Sequence, residues 1–315
     1  MFLFTAALVA GFLLLAWSAE QLVNNASQLG QRLNIPAYVI GFLVLGFGTS
    51  APELLVSGLS AWQGNPGLAV GNALGSNITN ILLILGFTLC FAPLYLHKNA
   101  LQRDFVILIA ATALFAVLII DRKLQLFDGL ILLVFMVAFL YYMARSELDD
   151  RVSSVTAPSA SGKNLTAIVA GLLISLAVLL LSSKLVVWSA IAVATVLGIS
   201  DLIVGLTVVA FGTSLPELAT CLASALKKRS ELVLGNIVGS NIFNILGVVG
   251  TASVITAYPV PHEVYARDLP IMTGATVVLF LAVLGFRRIK KIPRGLSILF
   301  ISSYIAYIWL IIQQA

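Results

Sequence analysis

The chain has 315 residues, 60% of them hydrophobic and only 10% charged, with a net charge of +5, and its mean hydropathy is +1.06. Soluble domains carry roughly 25% charged residues, so this composition excludes a soluble enzyme and describes an all-α polytopic membrane protein. The positive balance is a topology signal first and implies no nucleic-acid partner.

A helix needs about 20 apolar residues to cross a bilayer. Such runs fall at 2–24, 36–61, 67–92, 105–120, 125–144, 166–192, 202–226, 231–256, 269–286 and 295–313, which predicts about ten spans. Residues 1–19 lack a basic start and a small-residue cleavage site, and are read as the first span, not as a signal peptide. Lys and Arg accumulate in cytoplasmic loops. With the N-terminus outside, fourteen of the eighteen fall inside, Arg122, Lys123 and Arg267 fall outside, and Lys184 sits within the sixth span. Both termini are then external. Cys90 and Cys221 lie singly in predicted spans, and His97 and His262 lie in loops on opposite sides, so no metal cluster of Cys and His is expected.

Along the chain, Gly-Phe-Gly-Thr-Ser-Ala-Pro-Glu at 46–53 returns as Ala-Phe-Gly-Thr-Ser-Leu-Pro-Glu at 210–217. Gly-Asn-Ala-Leu-Gly-Ser-Asn-Ile-Thr-Asn at 71–80 returns as Gly-Asn-Ile-Val-Gly-Ser-Asn-Ile-Phe-Asn at 235–244. Both recurrences have one offset, 217 − 53 = 244 − 80 = 164, which also matches Arg103-Asp104 to Arg267-Asp268. Each Asp is expected to cap the start of a helix. The halves are therefore 1–144 and 165–315, joined by a polar, Ser-rich cytoplasmic linker at 145–164. Five spans per half is an odd number, so the second half enters from the opposite side and the repeats are inverted. Secondary transporters built this way place their sites near the midplane between the repeats. No GxxxxGK phosphate loop is present, so no nucleotide partner is expected and transport is gradient-driven.

The repeated blocks carry the chemistry. Pro52 and Pro216 lack amide hydrogens, which frees the carbonyls of Gly48 and Gly212 and predicts a helix interrupted halfway across the membrane in each half. Exposed carbonyls and the hydroxyls of Thr49, Ser50, Thr213 and Ser214 are ligands for hard cations. Glu53 and Glu217, with no basic partner at their depth, must be protonated, paired or bound to a cation. Two ionised carboxylates neutralise one Ca²⁺. Ser76 and Asn80, like Ser240 and Asn244, are four apart and share a helical face that could complete an oxygen cage. Asn72, Asn77, Asn236 and Asn241 carry less weight, because a cap or another face could claim them. Gly71, Gly75, Gly235 and Gly239 have helix-packing spacing.

With Gly-Thr-Ser-x-Pro-Glu in both halves and Gly-Ser-Asn-Ile-x-Asn-Ile-Leu following each, the chain resembles the calcium/cation antiporter superfamily, in particular the prokaryotic sodium/calcium exchangers. The resemblance covers essentially the whole length. It implies ten helices in two inverted five-helix repeats with interrupted helices at a central ion site. It also implies Glu53 and Glu217 as principal Ca²⁺ ligands, assisted by Thr49, Ser50, Ser76, Asn80, Thr213, Ser214 and Ser240 and by the carbonyls of Gly46 and Ala210. Asn244 stands where characterised exchangers usually carry Asp, so the cage has one carboxylate fewer, enough for one Ca²⁺ but leaving three Na⁺ with excess charge.

The expectation is a secondary antiporter of a prokaryotic plasma (inner) membrane, exchanging Ca²⁺ for Na⁺ by alternating access, monomeric, without a cofactor and with lipid as its surroundings. A proton-coupled Ca²⁺ antiporter is the nearest alternative and a passive cation channel the next. An intramembrane enzyme fits poorly, since no HExxH and no nucleophile beside a base is present.

Overall fold

The computed structural model describes residues 2–96, 100–153, 164–197, 212–286 and 288–314, with side chains for all of these except 100–104 and 144–153. Among the described residues there are ten principal helices. They are α1 (Phe2–Leu33), α2 (Ala37–Trp62), α3 (Pro66–Phe91), α4 (Ala100–Leu118), α5 (Leu126–Ser153), α6 (Leu165–Val196), α7 (Leu215–Leu226), α8 (Ser230–Ile255), α9 (Val264–Phe286) and α10 (Leu296–Gln314). Eight of them carry a stretch long and apolar enough to span a membrane; α4 and α7 are shorter apolar helices. Four short strands, β1 (Leu94–Tyr95), β2 (Lys123–Leu124), β3 (Tyr258–Pro259) and β4 (Lys291–Ile292), form two ribbons.

The ribbons and the first helix of each half establish the inversion. At the 164-residue offset α3 maps onto α8 and β1 onto β3 residue for residue. β1 pairs antiparallel with β4 and β2 with β3, so each half donates one strand to each ribbon. Because α4 runs from β1 to β2, the ribbons lie at opposite ends of a helix 19 residues long, about 28 Å at 1.5 Å per residue. α9 covers the same interval from the other ribbon, so α4 and α9 are antiparallel. The equivalent helices α1 and α6 are antiparallel too: Gly11 faces Val186, while farther along α1 Asn25 faces Gly171, earlier on α6.

Polar side chains are buried along the centre, and much of the outer surface is apolar. α8 is buried almost throughout, Asn236, Ser240, Asn241 and Asn244 included, while Leu13, Leu55, Val134, Ile174, Leu281 and Ile298 point outward and exposed. That is the burial pattern of a protein whose solvent at mid-depth is hydrocarbon, where bare apolar surface carries no penalty. Two principal apolar cores form among the described residues. The larger joins α3, α4, α5, α8, α9 and α10 through residues such as Leu74, Phe105, Leu132, Leu246, Leu279 and Phe300. The smaller joins α1 and α6 through Leu15, Leu22, Val23, Leu172, Leu179 and Val186, and its buried members elsewhere in the bundle are Ile40, Leu45, Leu215 and Leu232.

Several boundaries differ from those read in the sequence. α1 continues to Leu33, nine residues beyond its apolar run. α5 continues to Ser153, so the first residues of the expected linker are helical; they contain neither Gly nor Pro, and extending an existing helix avoids the cost of nucleation. Asp268 does not cap α9. It lies at the end of a π-helical stretch, Val264–Asp268, and its carboxylate takes two bonds from Arg267, at 2.7 and 3.1 Å, and one from Tyr307 at 3.1 Å. Asp104, the fifth residue of α4, is likewise inside its helix.

Candidate cation site

The first block lies on α2, which stays helical through Pro52. The expected break is instead a change of helical type one turn earlier, a π-helical stretch over Gly41–Gly46. Widening the helix re-registers its carbonyls without breaking the chain, a device common at functional sites. In the second half the break is real: Gly212 is helical, Thr213 and Ser214 form a turn, and α7 starts at Leu215 with Pro216 in its first turn. There Pro is well tolerated, since the first-turn amides have no intrahelical acceptor.

Glycines let α2 and α8 touch backbone to backbone. A Cβ on Gly235 would lie 2.3 Å from the carbonyl oxygen of Tyr38, and one on Gly239 2.8 Å from that of Phe42. On the α2 side, a Cβ on Gly41 would meet Leu232 O at 2.7 Å. Gly235 and Gly239 are thus packing glycines, as their spacing predicts. Gly71 and Gly75 share that spacing but not the role, for a Cβ on either would meet no described atom within 4 Å. The α2–α8 contact brings Ser240 of α8 to Gly46 of α2, whose carbonyl accepts the Ser240 hydroxyl at 3.2 Å.

Around this contact the predicted residues converge. Thr49, Ser50, Glu53, Ser76, Asn80, Ser214, Glu217, Ser240 and Asn244 are all buried, none more than 5% exposed. Thr213 is half-buried in the turn. Ala210 lies outside the described residues. Ser50 donates to Glu217 Oε1 at 3.3 Å, which joins the two halves at the carboxylates. Thr49 donates to its own helix at Leu45 O, 2.8 Å, so its hydroxyl oxygen keeps its lone pairs for another partner. Gly212 behaves differently from expectation: its carbonyl accepts the hydroxyl of Ser183 on α6 at 3.1 Å, so a side chain satisfies it.

Two asparagines given little weight in the sequence tie the helices of the site together. Asn236 donates to Thr220 Oγ1 at 2.9 Å and to Cys221 Sγ at 3.3 Å, tying α8 to α7. Asn77 accepts from Asn244 Nδ2 at 3.1 Å and donates to the carbonyl of Asn241 at 3.2 Å, tying α3 to α8. The signal that could have found them is the repeat itself, since Asn77 and Asn241, like Asn72 and Asn236, recur at the same offset as the glutamates.

What remains is a set of buried oxygens. Glu53 Oε2, Glu217 Oε2, Asn80 Oδ1, Asn241 Oδ1 and Asn244 Oδ1 have no hydrogen-bond partner among the described residues. Buried polar atoms are ordinarily paired, and leaving a carboxylate unpaired in an apolar interior is far more costly than leaving an amide so. All five atoms are acceptors, which suits a hard cation bound by oxygen and not a cluster of softer ligands. No group of three His, Cys, Asp or Glu side chains fit to hold a metal occurs among the described residues.

The family model for "Sodium/calcium exchanger protein" matches residues 3–145 and 167–313, one stretch in each half. A putative antiporter, CaxA of Alkalimonas amylolytica, is 38% identical over 98% of this chain and 99% of its own. Inner membrane protein YrbG of Escherichia coli is 36% identical over 98% of this chain and 96% of its own. A structure of the sodium-calcium exchanger NCX_Mj, soaked without Na⁺ or Ca²⁺, superposes with a TM-score of 0.85 at 31% identity, covering 98% of this chain and 99% of that one. The chain is an integral membrane transporter and belongs to the sodium/calcium exchanger family of cation antiporters.

Proposed function

We propose that the protein exchanges Ca²⁺ for Na⁺ at a single central site, with Glu53 and Glu217 as the charged ligands. The observation that carries this reading is the carboxylate pair: one Glu from each half, both buried, each with an oxygen left unpartnered among the described residues. Two carboxylates balance one Ca²⁺. Its six to eight oxygen ligands can be drawn from Asn80, Asn244, Thr49, Ser50, Ser76, Thr213, Ser214, Ser240 and the carbonyls of Gly46 and Ala210. The name of the structurally similar exchanger NCX_Mj supports the same ion pair.

Because Na⁺ and Ca²⁺ compete for the same oxygens, the site exchanges and does not leak. The smaller core lies mainly between α1 and α6 and reaches the rest of the bundle at four buried residues, Ile40, Leu45, Leu215 and Leu232, which supports a mechanism in which these two helices slide against the remaining bundle and expose the site to one face at a time. The Lys and Arg distribution supports an external N-terminus and a cytoplasmic linker, and Na⁺ entry then drives Ca²⁺ export. The internal two-fold completes the site within one chain, so a monomer suffices.

Proteoliposomes loaded with Na⁺, compared with vesicles carrying only a pH gradient, separate sodium from proton coupling. The expected result is Ca²⁺ uptake driven by outward Na⁺. Uptake driven by the pH gradient alone would replace Na⁺ by protons as the countersubstrate, with Glu53 and Glu217 as their carriers. Linear, unsaturable flux would make the protein a channel.

A further inference from the structure

Asn77 is placed like a clasp. From α3 it reaches two positions on one face of α8: its Oδ1 accepts from Asn244 Nδ2 at 3.1 Å, and its Nδ2 donates to Asn241 O at 3.2 Å. Both ends are fixed, because the bond to a backbone carbonyl fixes the Asn77 amide with nitrogen toward Asn241 and oxygen toward Asn244. Asn77, Asn241 and Asn244 are each 1% exposed, so water does not compete for these bonds.

The consequence falls on Asn244. A primary amide can turn either its oxygen or its NH₂ toward a neighbouring site, and only the oxygen attracts a cation. With Nδ2 engaged by Asn77, the group Asn244 has left is Oδ1, which has no partner among the described residues. The pseudo-symmetric clasp is not made: Asn241 Oδ1, which would accept from Asn80, is without a partner among the described residues, as is Asn80 Oδ1, and Asn241 Nδ2 donates to Ile237 O of its own helix at 2.6 Å. The clasp thus operates in one direction, from Asn77 of the first half onto Asn244 of the second.

We propose that Asn77 is a positioning residue that sets the orientation of the Asn244 amide, so that Asn244 meets the transported cation as an oxygen ligand. This rests on the reading of the carboxylate pair as a cation site. Asn77 itself need not touch the ion. An Asp at 244 would be a poor fit for the present clasp, since its oxygen would face the Asn77 oxygen unless the Asn77 amide turned over and gave up Asn241.

Equilibrium binding of radiolabelled Ca²⁺ to the purified full chain tests this through a double-mutant cycle. Asn77→Ala is expected to weaken Ca²⁺ binding about tenfold, which corresponds to about 1.4 kcal/mol. Asn77→Ala placed in an Asn244→Ala background is expected to weaken it little further, because the side chain it orients is gone. Full additivity of the two substitutions would overturn the proposal, since a purely structural Asn77 would act alike in both backgrounds. Asn77→Asp keeps an acceptor for Asn244 Nδ2 while giving up the donor to Asn241 O, and is expected to weaken Ca²⁺ binding by less than about threefold; a loss of about tenfold there overturns the proposal even if the alanine variant does not fold. Absence of Ca²⁺ binding by the unaltered chain would remove the cation-site reading and this inference together, whereas tight binding with additive variants removes the inference alone.

Discussion

In the first half Gly48 precedes Pro52 inside a helix that runs unbroken from Ala37 to Trp62, while in the second half Gly212 precedes Pro216 and the chain turns at Thr213 and Ser214 before α7 begins. The local sequences differ by a few apolar residues, so the cause lies in what surrounds them. α6 offers Ser183 to the Gly212 carbonyl; the equivalent position on α1, at the 164-residue offset, is Ala19, which has no hydroxyl to offer. α2 instead widens to a π-helix against the glycines of α8. One motif thus takes two backbone forms in one molecule. On the proposed mechanism this asymmetry has a use, because inverted repeats that differ in conformation leave a shared site open to one side only.

The largest test of the comparison is at the carboxylates. Glu53→Gln and Glu217→Gln should each reduce Ca²⁺ flux by more than about a hundredfold, because each removes one of two charges that balance the ion in a site of low dielectric. Neither should unfold the protein, since the amide keeps an acceptor oxygen, which at 217 still serves Ser50. A fully active Glu53→Gln variant would end the equivalence of the two halves and with it the assignment of the site.

Next in size is the helix contact. In Gly235→Ala the new methyl would sit 2.3 Å from Tyr38 O and 2.9 Å from Phe42 N, both backbone atoms that cannot turn aside. Overpacking of this kind costs roughly 1–3 kcal/mol, and it should lower the thermal midpoint of the detergent-solubilised protein clearly. The equivalent Gly71→Ala meets no atom within 4 Å among the described residues and should change the midpoint little. Equal losses in both variants would show that α3 makes a backbone contact as close as that of α8.

Much of this molecule is legible in the sequence, for reasons that differ from feature to feature. Span number, inversion and the two glutamates follow from hydropathy, parity and the cost of charge in hydrocarbon, all of which act on composition and spacing alone. The outcome at Pro52 is not legible, because Pro only removes one hydrogen bond; whether a helix then stops or widens depends on a neighbouring helix that local sequence does not describe. Asp268 reads as a cap because its partner Tyr307 is 39 residues away. Asn77 is hidden for a similar reason. Its role depends on the face of α8 across the two-fold, and a helical wheel drawn for α3 alone cannot show that face.

The smallest effect concerns the helix proposed to move. Lys227, in the turn between α7 and α8, places its Nζ 2.8 Å from both Glu20 Oε1 and Asn24 Oδ1 of α1. Two residues on, Arg229 donates to Val23 O at 3.0 Å and to the Ser27 hydroxyl. At the equivalent positions of the other half stand Lys184 and Trp188 on α6 and Gln63 and Asn65 in the α2–α3 turn, so no acid–base pair can form there. α1 is therefore held by ions over residues 20–27, and a mostly apolar cleft of about 670 Å³, lined by Phe12, Leu15, Glu20, Leu215, Leu222 and Lys227 among others, opens beside that pair between α1 and α7. The Glu20 and Lys227 side chains are 53% and 26% exposed, and an ion pair so open to solvent is worth about 0–1 kcal/mol. Glu20→Gln should accordingly speed Ca²⁺ exchange by no more than about fivefold, if release of α1 limits turnover, and the gain should shrink as ionic strength rises and screens the pair in the unaltered chain. A slower variant, or a gain indifferent to salt, would mean that the charge on Glu20 does not hold α1 and that the polar bonds from Arg229 do.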